Sequence, residues 1–110
     1  MEEIAKRVEN PVFYLFSDDM DWSLKNINTD NKFRMIPCKS FDENCGYICG
    51  LYLMSKSKHN IITNSTYAWW AAWLNNNLNH IVVSPKNWIN SSGIAKSTFN
   101  DLILNNWIKI

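Results

Sequence analysis

Three short polar stretches in this 110-residue chain, Ser17-Asp18-Asp19, Thr63-Asn64-Ser65-Thr66 and Ser84-Pro85-Lys86, each follow an apolar run directly. Asn64-Ser65-Thr66 sits where a strand would turn into a helix, and a helix start presents free backbone N–H groups that favour an anion. A diphosphate held there would gain charge-assisted hydrogen bonds of roughly 1.5–3 kcal/mol each, with up to ~2 kcal/mol more from the helix dipole. Plain capping accounts for the same three residues, because Asn, Ser and Thr are the commonest N-caps. A carboxylate fixed at Asp18 or Asp19 would accept two parallel hydrogen bonds from a guanine edge, and an acceptor-only group prefers guanine to adenine. The competing account is a solvated acidic first turn, which the dipole also favours. Metal binding by Asp18, Asp19 and Asp21 lacks a further convergent acid, so no metal ligand is assigned.

These stretches need elements to hold them. Val12 to Phe16 is a continuous apolar and aromatic run after Pro11, the pattern of a strand buried on both faces. Ser17 is a fitting N-cap for a helix whose face carries Trp22, Leu24 and Ile27. Phe33 to Ile36, ahead of Pro37, reads as a second strand. Tyr47, Ile48, Leu51, Tyr52, Met54 and Ser55 recur at helical intervals after Gly46. Ile61-Ile62-Thr63 is a third strand, Ser65 to Leu74 a third helix, and Ile81-Val82-Val83 a fourth strand. Strands alternating with helices at this spacing imply a mainly parallel, doubly wound α/β sheet of Rossmann type, whose ligands bind beyond the carboxyl ends of the strands. From Asn87 onward the chain is weakly patterned.

Composition sets outer bounds. A chain of this length, 46% hydrophobic, fits one domain over residues 1–110 that buries roughly 60–70% of its unfolded surface. The net charge of +1 comes from interspersed acids and bases, so no basic block recruits nucleic acid or a membrane surface. No apolar run approaches the ~20 residues that span a bilayer. Cys38, Cys45 and Cys49 are odd in number and lack paired CxxC spacing, which points to reduced thiols in a cytoplasmic protein. Trp69, Trp70 and Trp73 alternate with Ala68, Ala71 and Ala72, the pattern of a helix packed tightly on a sheet rather than of a stacking platform. Asn75-Asn76-Asn77 reads as polar surface, and a lone His59 as structural.

Phe13 to Asp19, Met54-Ser55, Lys58 to Ile62, Asn64 to Asn75 and Pro85 to Trp88 together resemble bacterial α-1,2-fucosyltransferases, glycosyltransferase family 11. The Trp-rich string from Lys58 to Asn75 is the most specific part. The resemblance implies the carboxy-terminal, donor-binding half of a GT-B enzyme, built from Rossmann-like domains and needing no metal. Carried over, Asp18 would face the guanine of GDP-fucose, and Asn64, Ser65 and Thr66 would hold the diphosphate. The family's reaction is a single in-line displacement in which a galactose 2-hydroxyl attacks the fucose anomeric carbon, GDP leaves and the configuration inverts. The same resemblance places the protein in the cytoplasm, with peripheral attachment at the inner face of a bacterial membrane as a further option.

Two departures qualify that expectation. A His-x-Arg-Arg-Gly-Asp type segment, whose arginine grips the diphosphate in the family, is absent from these residues, as is the amino-terminal acceptor half expected to carry it. Gly50 stands where the family usually has an acid. The resemblance therefore implies a donor-binding part that is inactive alone, with the acceptor glycan engaged only by the intact enzyme. Two other readings remain. One is a folded remnant without activity, prone to self-association through surface meant for the other half. The other is a receiver-like signalling module using Asp18, Asp19, Thr63 and Lys86, which lacks a phosphoacceptor aspartate at a central strand end.

Overall fold

A computed structural model describes residues 1–27, 32–39, 41–89 and 101–110. In chain order the elements are α1 (Glu2–Ala5), β1 (Val12–Ser17), α2 (Met20–Asn26), β2 (Arg34–Lys39), α3 (Ile48–Ser55), β3 (Asn60–Ile61), α4 (Thr66–Trp73), β4 (Val82–Ser84) and β5 (Ile108–Lys109). Each strand pair is parallel, and helices connect β1 to β2 and β3 to β4, as an α/β fold requires. The pairing is divided between a two-stranded sheet, β1-β2, and a three-stranded sheet, β3-β4-β5. The chain forms two compact units, Met1–Leu53 and Met54–Ile110.

In the first unit β1 and β2 run in register from Val12 opposite Arg34 to Ser17 opposite Lys39. The apolar run is not buried on both faces. Its burial alternates, and Tyr14 is 58% exposed. Strand β2 continues through Pro37, which has no N–H to donate but still lies opposite Leu15. The cap of α2 falls two residues later than expected. Asp19 is the N-cap, accepting from the Trp22 N–H at 2.9 Å. Ser17 shapes the preceding turn instead, accepting from the Asp19 N–H at 3.1 Å and from the Ser23 hydroxyl at 2.8 Å. The expected apolar face of α2 is also turned outward, with Trp22 60% exposed, while Ser23 is the buried residue of that helix.

The start of α3 is prepared by a turn in which Asp42 and Gly46 exchange backbone hydrogen bonds of 3.0 and 2.6 Å. Gly46 has φ +58°, a left-handed conformation that costs a side-chain-bearing residue about 1 kcal/mol. Here the expectation of three reduced thiols is corrected. Cys45, in the turn that precedes α3, and Cys49, in its first turn, are joined in a disulfide with Cα atoms 5.9 Å apart, and Cys38 alone is free. The turn closed by Asp42 and Gly46 is what brings Cys45 back to the first turn of α3, a path that cysteine spacing alone does not reveal.

The second unit has the better-formed core. Ile62, Ala68, Ala72, Val82, Trp88, Ile103 and Trp107 are buried together, with Met54, Trp69, Ile89, Leu102 and Leu104 packed against them. Ala68 and Ala72 lie one turn apart on α4 and carry only methyl groups, so the helix comes close to its neighbours. Of the three helix tryptophans, Trp69 behaves as expected. It stacks on Trp73 at 6.1 Å, meets Trp107 at 6.1 Å, and donates its indole N–H to the Leu102 carbonyl at 2.6 Å. Trp70 and Trp73 depart from the expectation of core, being 49% and 52% exposed.

Strand β3 starts one residue earlier and ends two earlier than the sequence expectation, β4 lies one residue later, and the carboxyl tail is not featureless. Lys109 pairs with Ser84 and Ile108 with Val83, adding β5 to the sheet. Asn75 is likewise no surface residue. Its amide donates to the Ser57 carbonyl at 2.7 Å and to Asn60 Oδ1 at 2.8 Å, and its oxygen accepts from the Asn77 N–H at 3.0 Å. Asn60 in turn donates to the Met54 carbonyl at 2.9 Å, so two buried amides tie the ends of α3 and α4 to the start of β3.

Candidate functional site

Each unit carries a cleft beyond the carboxyl ends of its parallel strands, where side chains leave the sheet and backbone groups face outward. In the first unit a cleft of about 550 Å³ is lined by Ser17, Asp18, Met20, Pro37, Cys38, Phe41 and Tyr47. Asp19 is consumed by capping α2, whereas Asp18 is exposed and no described residue hydrogen-bonds its carboxylate. The adjacent acids thus divide their work. The second holds the helix, and the first is available to a ligand. Phe41 and Tyr47 meet edge to face at 5.2 Å on the wall of the cleft, an apolar surface on which a flat ring can rest. Cys38 also lines this cleft. Burial pushes its thiol pKa up, which makes it a poor nucleophile.

In the second unit a cleft of about 540 Å³ is lined by Ile62, Thr63, Asn64, Pro85, Asn87, Trp88 and Ile110. Asn64 is on its wall. Ser65, next along, is the N-cap of α4, with φ −112° and ψ 128°, and its hydroxyl accepts from the Ala68 N–H at 3.5 Å. That contact is at the outer limit of a hydrogen bond. Thr66 opens the helix, and neither its N–H nor its hydroxyl is bonded by a described residue. Capping and a free first-turn donor therefore coexist.

The remaining strand-end residues do other work. Ser84 is buried, and its hydroxyl has no partner among the described residues. Pro85 contributes to the cleft wall, and the Lys86 N–H donates to the Ile110 carbonyl at 2.6 Å. His59 is structural, as read from the sequence. Its Nδ1 accepts from the Ile81 N–H at 3.0 Å, and burial, then Lys58 and His80, hold its pKa below the usual value. Cys38, Phe41 and Tyr47 in one cleft, and Asn87 and Ile110 in the other, were not marked in the sequence as site residues. Phe41 and Asn87 stand in loops and Ile110 at the chain end, where no periodicity exists to flag them, while Cys38 near the end of β2 and Tyr47 before α3 were read only as parts of their elements. Trp88 had a signal, because it belongs to the Pro85-Lys86-Asn87-Trp88 string. Among the described residues no three His, Cys, Asp or Glu side chains are grouped to hold a metal ion, and no helix is long and apolar enough to cross a membrane.

A parallel α/β architecture with clefts at strand ends is a class of fold whose ligands bind beyond those ends. Within it, residues 1–110 match glycosyl transferase family 11, and the chain belongs to that family. Over 93 residues it is 38% identical to the O-antigen biosynthesis glycosyltransferase WbnK of Escherichia coli, which covers 84% of this chain and 30% of that protein. An alpha-1,2-colitosyltransferase of Escherichia coli is 36% identical over 85 residues, 77% of this chain and 29% of the relative. The chain thus spans under a third of the length of these two relatives. No solved structure matches it. Family membership decides between the glycosyltransferase and receiver-like readings in favour of the first.

Proposed function

We propose that this chain is the donor-binding part of an inverting α-1,2-glycosyltransferase of GT-B type, taking GDP-fucose without a metal ion. The observation that carries the proposal is the arrangement at Asn64-Ser65-Thr66. Asn64 lines the cleft beyond β3 and β4, and Thr66 starts α4 with an unbonded N–H and hydroxyl. Such a helix start suits a diphosphate. Asp18, free of capping duty, is assigned the guanine edge, where it accepts from two ring donors.

In the transfer, a galactose 2-hydroxyl oxygen forms a bond to the sugar's anomeric carbon while the bond from that carbon to the diphosphate oxygen breaks. The electron pair leaves with GDP, and negative charge grows on the diphosphate. This chain's share of catalysis is on that leaving-group side, where Thr66 and the first-turn dipole of α4 stabilise the growing charge. The acceptor glycan and the group that takes the hydroxyl proton belong to the intact enzyme. Alone, the chain binds donor without turnover. We place it in the cytoplasm, working peripherally at the inner face of the bacterial membrane. A colitosyl donor is the second reading, favoured by the similarity to the colitosyltransferase.

Titration of the chain with GDP and with ADP, followed by backbone NMR, tests the proposal. GDP is expected to bind the tighter of the two and to shift the amides of Asp18, Ser65 and Thr66. Asp18→Asn should weaken GDP by roughly 10- to 100-fold and bring it level with ADP, the loss expected for charge-assisted bonds. Thr66→Val should weaken both nucleotides. Equal affinity for the two nucleotides in the wild type, or GDP shifts that leave Ser65 and Thr66 untouched, would refute it. Comparison of GDP-fucose with a colitosyl donor then decides the sugar.

A further inference from the structure

The disulfide of the first unit stands at a cleft wall, not in a core. Cys45 and Cys49 close a loop of only a few residues, the kind of closure that stabilises a fold least in chain-entropy terms. Both are half-buried rather than enclosed, so the bond lies within reach of a small thiol. Between them is Tyr47, which lines the cleft together with Phe41 and Cys38 and meets the Phe41 ring edge to face at 5.2 Å.

Local sequence favours α3 only weakly at its start. The helix begins at Ile48, which puts Tyr47 at the N-cap, and tyrosine is not among the capping residues. The first turn carries no acid to meet the helix dipole, and Gly50 within it is a poor helix former. The backbone closes the turn through the Asp42–Gly46 pair, through the Ile48 N–H donating to the Cys45 carbonyl at 3.2 Å, and through the Leu51 N–H donating to the Tyr47 carbonyl at 3.1 Å. A helix start of this composition tends to fray, and the cross-link ties its first turn back to the loop before it.

We propose that the Cys45–Cys49 bond is a reversible redox switch that sets how firmly the first unit's cleft holds a flat ring. With the bond closed, Tyr47 is carried between two linked positions, and the wall it forms with Phe41 is preorganised. With the bond open, the first turn of α3 frays and the wall loses its fixed shape. The step is a two-electron exchange. A dithiol reductant supplies two electrons and two protons, the S–S bond breaks, each sulfur of the chain takes one proton, and the reductant's own sulfurs join as a disulfide. A disulfide oxidant runs the step backward. In the cytoplasm, where the protein is placed above, disulfides are usually transient and catalytic or redox-sensing, which is the behaviour this bond requires. Cys38 stays out of the exchange although it lines the same cleft, because burial raises its pKa and leaves little thiolate to attack the bond. The identity of the bound ring rests on the donor-binding reading, whereas the switch itself does not.

Oxidised and reduced forms of the 110-residue chain are to be compared. After a disulfide oxidant one free thiol is expected, Cys38, with the bond mapped to Cys45 and Cys49, and after a dithiol reductant all three cysteines should titrate. Amide hydrogen exchange then reads the wall with no ligand present. Gly46 and Leu51 should exchange about 10-fold faster once the bond is open, while Ile62 in the second unit keeps its rate. GDP is the probe of the cleft, and its affinity should fall about 5- to 10-fold on reduction and return on reoxidation. Cys49→Ser holds the bond open, so it should match the reduced wild type and ignore the reductant. Three thiols persisting after the oxidant, a bond mapped to Cys38, or exchange at Gly46 and Leu51 unchanged by reduction would each overturn the switch. GDP bound equally in both states, with exchange altered, would overturn its control of the cleft. GDP bound in neither state sinks the donor-binding reading instead, and the exchange rates alone then decide the switch.

Discussion

Replacing Asn75 by Ala tests whether the second unit is held by its amide network as well as by its core. The side chain makes three hydrogen bonds, two as donor to Ser57 and Asn60 and one as acceptor from Asn77. At a net ~1 kcal/mol each, their loss costs about 3 kcal/mol, and Asn60 Oδ1, left buried without its donor, adds up to about 1 kcal/mol. For a chain of this size ~1 kcal/mol lowers the unfolding midpoint by about 4 °C, so N75A should melt roughly 12–16 °C below wild type. Urea unfolding should show the same loss at an unchanged slope. Asn76→Ala is the control. It removes an exposed neighbour with no bond to a described residue and should shift stability by less than ~0.5 kcal/mol. A double-mutant cycle with Asn60→Ala should return a coupling of about 1–2 kcal/mol. A loss under ~1 kcal/mol for N75A, or parity with N76A, would refute the claim that these amides are structural.

Two further outcomes follow from single contacts. His59 has its folded-state pKa held below 6.5, so below that pH the unfolded chain takes up the proton more readily than the folded one. Stability is therefore full above about pH 6.5 and falls as the pH drops through the window beneath it, because a protonated Nδ1 can no longer accept from Ile81. Melting points taken from pH 8 down to about pH 5 should show that slope, and His59→Phe should flatten it. Asp19→Ala should cost ~1 kcal/mol of stability with GDP affinity retained, the reverse of the outcome expected for Asp18→Asn under the proposed assignment, because Asp19 caps α2 whereas Asp18 only lines a cleft. Denaturation and nucleotide titration of both variants separate the roles.

The parts of the fold that were legible in the sequence are those fixed by local chemistry. Ser65 before Thr66 announces a helix start because an N-cap needs only a hydroxyl and the next three amides, and the structure places it there. The first helix shows where local reading errs. Ser17 and Asp19 are both competent caps two residues apart, and the choice turned on the Ser23 hydroxyl, which occupies Ser17 from within α2. Strand β5 and the buried pair Ile103 and Trp107 were illegible for a different reason. Two residues, Ile108 and Lys109, form that strand, and no period can be read from so short a run. Asn75 was misread because composition treats an asparagine triplet as surface, whereas burial depends on which carbonyls stand opposite.

The site divides along the same line. Asn64 and Asp18 were legible as cleft-lining residues because each follows the carboxyl end of a parallel strand, where the chain leaves the sheet. The walls of the two clefts were not, since Phe41, Tyr47 and Asn87 reach them through loop geometry that no spacing rule encodes. The disulfide sharpens the point. Cys45 and Cys49 bracket Tyr47, a residue of the first cleft's wall, so the turn that presents it is closed covalently at one end and by the Asp42–Gly46 hydrogen bonds at the other. A wall fixed from both ends loses less freedom when a ring settles against it, and preorganisation of that kind favours binding without any added contact. The residues that make a cleft selective can thus be short polar signals, while those that make it rigid are set by the chain's path around them.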